Sequence, residues 1–244
     1  MKSNFYFTTR KFETLELPFL EHIQEIRIRL FSLISITVLL TFLCFLEIKN
    51  IVQLLEAPIR DLKFFQISPG EYFFLTFKIS FYSGLLFTSP FIIIQLILFL
   101  IPGITKQETK YILPLFCSSM VLFGSGLVFS YFVLIPAALN FFLNYSEEVL
   151  EPFLSFDQYF NFVLVIFYST GLAFQTPIIQ VLLGLANIIS VFQMLKIWKY
   201  VALMATILGA ILTPSTDPIT QLFLSFAILF LYFVGLGVLF LIKN

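Results

Sequence analysis

The chain has 244 residues, of which 59% are hydrophobic, 18% aromatic and 11% charged, and its 14 Lys and Arg balance 14 Asp and Glu. A soluble domain carries about 25% charged residues, so a water-soluble globule is excluded, and zero net charge gives no reason to expect nucleic acid or another polyanion as partner. The expected class is an all-α polytopic membrane protein, a single integral-membrane unit over residues 1–244.

Residues 1–30 form a charged segment ahead of the first apolar run, ending in FLEHIQEIRIRL at Phe19–Leu30. Phe19, Ile23, Ile26 and Leu30 recur at helical spacing, which predicts an amphipathic helix able to lie on the bilayer surface. Glu25 precedes Arg29 by four residues, the favourable order for a helical ion pair. The basic, apolar and small-residue order of a cleavable signal peptide is lacking, as is an Arg- and Ser-rich presequence. An organellar version of the chain is therefore expected to be made within its organelle.

Six spans are expected, at about Phe31–Ile48, Phe73–Ile101, Ile112–Phe142, Phe160–Ile189, Val201–Leu212 and Ile219–Ile242. The second, third and fourth exceed the ~20 residues that cross a bilayer and carry Pro90, Pro114 and Pro136, and Pro177. Each proline frees a carbonyl that a neighbour has to satisfy. The fifth span is expected to be short, about 20 Å at 1.5 Å per residue. Lys49, Arg60, Lys63 and Lys78 fall on one side and every other Lys and Arg on the other, so the positive-inside rule puts both termini in the cytoplasm or stroma.

Catalytic signals are missing. There is no phosphate-binding glycine loop, and the only histidine, His22, lies outside the spans, so neither a serine–histidine dyad nor a metal site is available. The chain reads as a non-enzyme without cofactor. Cys44 and Cys117 sit in apolar runs and suggest no disulfide or metal. Gly124-Ser125-Gly126 reads as small residues for helix packing. Asn144-Tyr145-Ser146 matches a glycosylation sequon, but its context does not support modification.

Several polar residues carry alternatives. Thr105-Lys106-Gln107-Glu108 is a capping-box pattern after Gly103, and Asp217-Pro218 reads as an N-cap followed by proline at the first helical position. Gln175 lies mid-span, where an unpaired amide is expensive. It either bonds the backbone freed by Pro177 or meets a polar group on another helix. Glu25 and Glu108 set two acids on the side otherwise rich in bases, which hints at a cationic ligand. Arginine fits best, because its planar fork pairs with carboxylates.

In order along the chain stand His22-Ile23-Gln24-Glu25-Ile26-Arg27-Ile28-Arg29-Leu30, Ala57-Pro58, Ser89-Pro90-Phe91, Gln95, Phe99, Pro102-Gly103, Glu108, Leu212-Thr213-Pro214, Asp217-Pro218 and Gln221. Over about residues 18–235 this ordered set resembles the TatC family, the multispanning receptor subunit of the twin-arginine protein translocase. The resemblance implies a concave, glove-like scaffold of six transmembrane helices. It implies recognition of signal peptides bearing two consecutive arginines, with Glu25 and Glu108 as the contacting carboxylates and His22 and Arg27 in the same site. Pro58, Phe99, Gln175, Asp217 and Gln221 match family positions with partner or structural roles. Single-span partners of the TatA and TatB type, copies of the same chain, the lipid bilayer and the proton-motive force complete what it implies: export of folded proteins.

Two positions depart from the pattern. Many relatives have glutamate at Gln175, and many end the last helix with Tyr-Glu where this chain has Tyr232-Phe233. Ser68-Pro69-Gly70-Glu71-Tyr72-Phe73 and Ser83-Gly84-Leu85-Leu86 resemble the cyanobacterial and plastid branch, and 34 phenylalanines against one tryptophan fit an AT-rich genome. A plastid thylakoid membrane is thus favoured over a bacterial inner membrane. The rival functions, a small-solute transporter or an insertase scaffold, require an ionisable midplane site or a charged groove, and neither is visible.

Overall fold

The computed structural model describes residues 19–59, 64–66, 68–100, 112–146, 154–212 and 218–243. Nine helices are present among them: α1 (Phe19–Leu46), α2 (Ile48–Glu56), α3 (Glu71–Leu100), α4 (Ile112–Phe129), α5 (Ile135–Ser146), α6 (Phe156–Ala173), α7 (Thr176–Leu185), α8 (Val191–Leu212) and α9 (Pro218–Lys243). Two short parallel strands, β1 (Phe64–Phe65) and β2 (Leu154–Ser155), pair with each other.

Among the described residues, five stretches are long and apolar enough to cross a membrane: Gln24–Leu46, Leu113–Asn144, Phe156–Leu185, Val191–Ile211 and Pro218–Lys243. α3 has 30 residues. At ~1.5 Å per residue it is about 45 Å long, more than the ~30 Å hydrocarbon core.

The apolar sequence folds as helix because lipid offers no partner for a free backbone group. The prolines show how that rule is kept. Pro90 removes the amide that would bond the Leu86 carbonyl, and the Ser89 hydroxyl donates to that carbonyl at 2.8 Å. Pro177 does the same to Ala173, whose carbonyl accepts from Thr176 Oγ1 at 2.7 Å. Ahead of Pro136 the helix widens into a π turn over Ser130–Leu134, whose Ser130 carbonyl accepts from the Ile135 amide.

Residues 19–30 of the charged opening segment and the first span form one continuous helix, α1. Ile26 and Leu30 of the expected amphipathic face are exposed, so this face turns away from the protein as the helix leaves the apolar span. α8, the helix of the fifth expected span, corrects the expectation that this span is short. It starts at Val191, not Val201, and has 22 residues. Ser190 and Gln193 form a capping box, the Ser190 amide donating to Gln193 Oε1 at 2.8 Å and the Gln193 amide to Ser190 Oγ at 3.3 Å. Lys196 and Lys199, read from sequence as loop, lie on exposed faces of its first turns.

One end of the helix set is tied by Glu71. Its Oε2 accepts from the Ser68 amide at 3.3 Å and its Oε1 from the Asp157 amide at 3.1 Å, so one carboxylate caps the starts of α3 and α6. Lys78 pairs with Asp157 at 3.6 Å, and Tyr159 Oη covers the Leu55 carbonyl of α2 at 2.6 Å. Between these ends lies a core of fully buried Ile79, Ile135, Phe160 and Val163. At the opposite end Asn187 takes φ 56°, an αL residue just past α7. Its side chain accepts from Lys243 Nζ at 2.7 Å, which places the end of α9 beside the end of α7.

Candidate functional site

α1 and α3 run antiparallel. Phe45 stacks on Phe77 at 5.1 Å, Thr41 meets Gly84, and Arg29 meets Gln95, so the contacts descend one helix as they climb the other. Gly84 permits this approach: a Cβ built there falls 2.7 Å from both the Cα and the N of Thr41. The close register carries the charged start of α1 to the last two turns of α3.

There Arg29 bridges both helices. Its Nε and Nη2 donate to Glu25 Oε1 at 3.1 and 2.5 Å, and its Nη1 donates to Gln95 Oε1 at 2.9 Å. The side chains of Glu25 and Arg29 are 29% and 22% exposed, which leaves the pair reachable but partly shielded from water. The i, i+4 pairing expected within α1 is thus present, and it gains a tertiary anchor. Gln95 entered the sequence reading only as a motif position; a contact spanning 66 residues leaves no local spacing signal.

The other expected site residues are distributed as follows. Arg27 lies on α1 and is exposed. His22 lies on α1, three residues before Glu25, and Phe99 lies on α3, four residues after Gln95 and thus one turn further along. Glu108 and Asp217, and with them the two sequence-read caps, lie outside the described residues. Pro58 sits in the 3₁₀ turn Ala57–Ile59 at the far end, remote from Glu25. Gln221 pins α9 to α8: its Nε2 donates to the Thr206 carbonyl at 3.1 Å, and Ser225 Oγ donates to Ala205 O at 3.2 Å and Gln221 O at 2.6 Å.

Gln175 is 1% exposed, in the break between α6 and α7. Thr176 takes the carbonyl that Pro177 frees, and Gln175 meets α4 instead. Ser119 Oγ donates to Gln175 Oε1 at 2.9 Å, and Gln175 Nε2 donates to Ser119 O at 3.0 Å. A carbonyl can only accept, so a glutamate here would keep the second bond only as the neutral acid. Gln175→Leu is expected to take the acceptor from the Ser119 hydroxyl and the second donor from the Ser119 carbonyl, and to destabilise the chain by about 1–2 kcal/mol with peptide affinity unchanged. Thermal unfolding in detergent beside a peptide-binding isotherm checks this; unchanged unfolding would show that the paired bonds carry no stability. Ser119 had no signal in the sequence.

A cleft of about 460 Å³ opens at the far end, lined by Lys49, Gln53, Glu56, Phe64, Tyr72 and Phe156 among others. Burial there pushes the Glu56 carboxyl above its usual range. Among the described residues, no group of three or more His, Cys, Asp or Glu is placed to hold a metal ion.

Comparison with known proteins bears on both fold and site. Residues 21–227 match the family described as Sec-independent protein translocase protein (TatC). The tatC-like protein ycf43 of Trieres chinensis is 66% identical over 242 residues, covering 99% of this chain and 92% of that protein. The chloroplastic Sec-independent protein translocase protein TATC of Pisum sativum is 47% identical over 222 residues, covering 90% of this chain and 63% of that protein. A crystal structure of the twin-arginine translocase receptor TatC superposes with a TM-score of 0.79 at 31% identity, covering 89% of this chain and 98% of that one.

Proposed function

The chain belongs to the TatC family of Sec-independent protein translocase proteins and is a receptor subunit of the twin-arginine translocase; from that premise we propose that Glu25 and Glu108 grip the two arginines of a signal peptide. The observation that carries the reading is the Glu25 carboxylate, held on the first turns of α1 by Arg29, which is itself bonded to Gln95, while still reachable from outside. Acid beside base at this end answers a cationic ligand. A guanidinium fork then adds charge-assisted bonds that a lysine cannot match in geometry.

His22 and Arg27 belong to the same stretch of α1, within three residues of Glu25, and the Arg27 charge would keep the site from attracting cations indiscriminately. The six spans would be those five stretches together with α3, with both termini on the cytoplasmic or stromal side and the whole chain acting as one unit. The integral membrane location follows from the apolar helices. The chloroplastic pea relative and the plastid-like sequence features support a thylakoid membrane. Single-span partners of the TatA and TatB type and further copies of this chain would assemble around the receptor, with the proton-motive force driving folded cargo across. Gln175, already satisfied by Ser119, offers a transported solute no ionisable midplane group.

Site-specific photo-crosslinkers at positions 24 and 107, next to the two carboxylates and leaving both in place, test the proposal. Both are expected to capture a twin-arginine peptide and to lose it when the arginine pair becomes a lysine pair. Capture from neither position, or equal capture of the lysine peptide, would remove the two-carboxylate site.

A further inference from the structure

The Glu25–Arg29–Gln95 triad has a geometry that a simple ion pair does not require. Both Arg29 donors aimed at Glu25 converge on one oxygen, Oε1, and the third donor is held by Gln95 on the other helix. The guanidinium is planar, so gripping it at two edges fixes its plane. A carboxylate oxygen offers about two lone-pair directions, and Arg29 fills those of Oε1. Among the described residues nothing bonds Oε2. The side chain is also 29% exposed, so the carboxylate has one oxygen committed to Arg29 and the other available to a ligand.

Resting on the receptor reading above, we infer that Arg29, tethered by Gln95, is a positioning residue that sets the specificity of Glu25 for a planar guanidinium over an ammonium. A freely rotating carboxylate attracts any cation, because lysine and arginine carry the same charge. A carboxylate fixed in plane rewards the ligand whose donors are fixed in plane too. The positive charge of Arg29 pulls in the opposite direction, since it screens Glu25 and repels an incoming cation. Removing that charge would mix the two effects, so the informative substitution keeps it.

Arg29→Lys retains the charge but cannot hold Glu25 and Gln95 from one nitrogen in the same way. Gln95→Leu retains Arg29 and removes its hydrogen bond to α3, and Gln95→Glu supplies an acceptor again. The readout is the ratio of affinities for two peptides identical except for Arg-Arg or Lys-Lys, measured on the full chain in lipid nanodiscs. Arg29→Lys and Gln95→Leu are expected to shrink that ratio by about tenfold, roughly the worth of one charge-assisted hydrogen bond. Gln95→Glu is expected to keep it.

An unchanged ratio in the first two variants overturns the inference. So does an equal loss of both peptides, which would make the triad merely structural. Tighter binding of the Arg-Arg peptide by Arg29→Lys also overturns it, because Arg29 would then be a competitor for Glu25. Glu25→Gln separates the two levels. If it binds both peptides like the unaltered chain, the receptor site itself is misplaced; if it loses binding while Arg29→Lys keeps the ratio, only the role of Arg29 falls.

Discussion

Glu25→Lys is expected to reduce affinity for a twin-arginine peptide by at least about 100-fold while leaving the protein in the membrane. A hydrogen bond to a charged group is worth about 1.5–3 kcal/mol, so losing the carboxylate alone accounts for ten- to a hundredfold. The new ammonium adds repulsion, standing four residues from Arg29 and two from Arg27 on the same helix. It also leaves Arg29 without the partner on which two of its donors converge. Insertion is spared because position 25 is partly exposed at the charged start of a 28-residue helix, where an added lysine joins Arg27 and Arg29 and keeps the positive-inside bias. Glu25→Gln removes the charge without reversing it and is expected to fall between the two. Peptide titration against reconstituted protein, with carbonate extraction to confirm insertion, gives the comparison. Unaltered affinity for Glu25→Lys would show that the peptide binds elsewhere.

The sequence announces Glu25 and Arg29 because a helix brings residues four apart together whatever surrounds them. It announces the spans for a similar reason, since apolar runs in lipid have few alternatives to helix. Gln95 is of another kind: its contact with Arg29 depends on how α1 and α3 are set against each other, which no local pattern records. Gln175 shows the limit case by case. Its mid-span position and the cost of an unpaired amide flag a group in need of a partner, but choosing between the carbonyl freed by Pro177 and another helix requires knowing that Thr176 already fills the first role. The start of α8 was hidden because Lys196 and Lys199 stand ahead of the apolar run from Val201 and break its pattern. Long lysine side chains can run along a helix to the membrane edge, so their presence does not end a helix, whereas a capping box does begin one. Glu71 capping two helices from one carboxylate was likewise hidden, since Asp157 lies 86 residues away.

Gly84→Leu tests whether that helix register, and not local chemistry alone, builds the site. A Cβ at Gly84 meets the Cα and N of Thr41 at 2.7 Å, and backbone atoms cannot swing aside as a side-chain tip would. α1 and α3 have to separate, which is the overpacking case that costs about 1–3 kcal/mol, and a leucine asks for more room than an alanine. Gly84 lies 11 residues from Gln95 on one helix, about 16 Å at 1.5 Å per residue. A splay at the crossing is carried to the triad, where a 2.9 Å bond between Arg29 and Gln95 has little slack before it is lost. The expected result is a lowered unfolding temperature together with weakened peptide binding, graded from Gly84→Ala to Gly84→Leu. Gly124→Ala supplies the contrast: a Cβ there meets nothing within 4 Å, so neither quantity is expected to change. If Gly84→Leu unfolds and binds peptide like the unaltered chain, the two helices are not locked at this crossing, and the placement of Glu25 by Arg29 and Gln95 would need another source of rigidity.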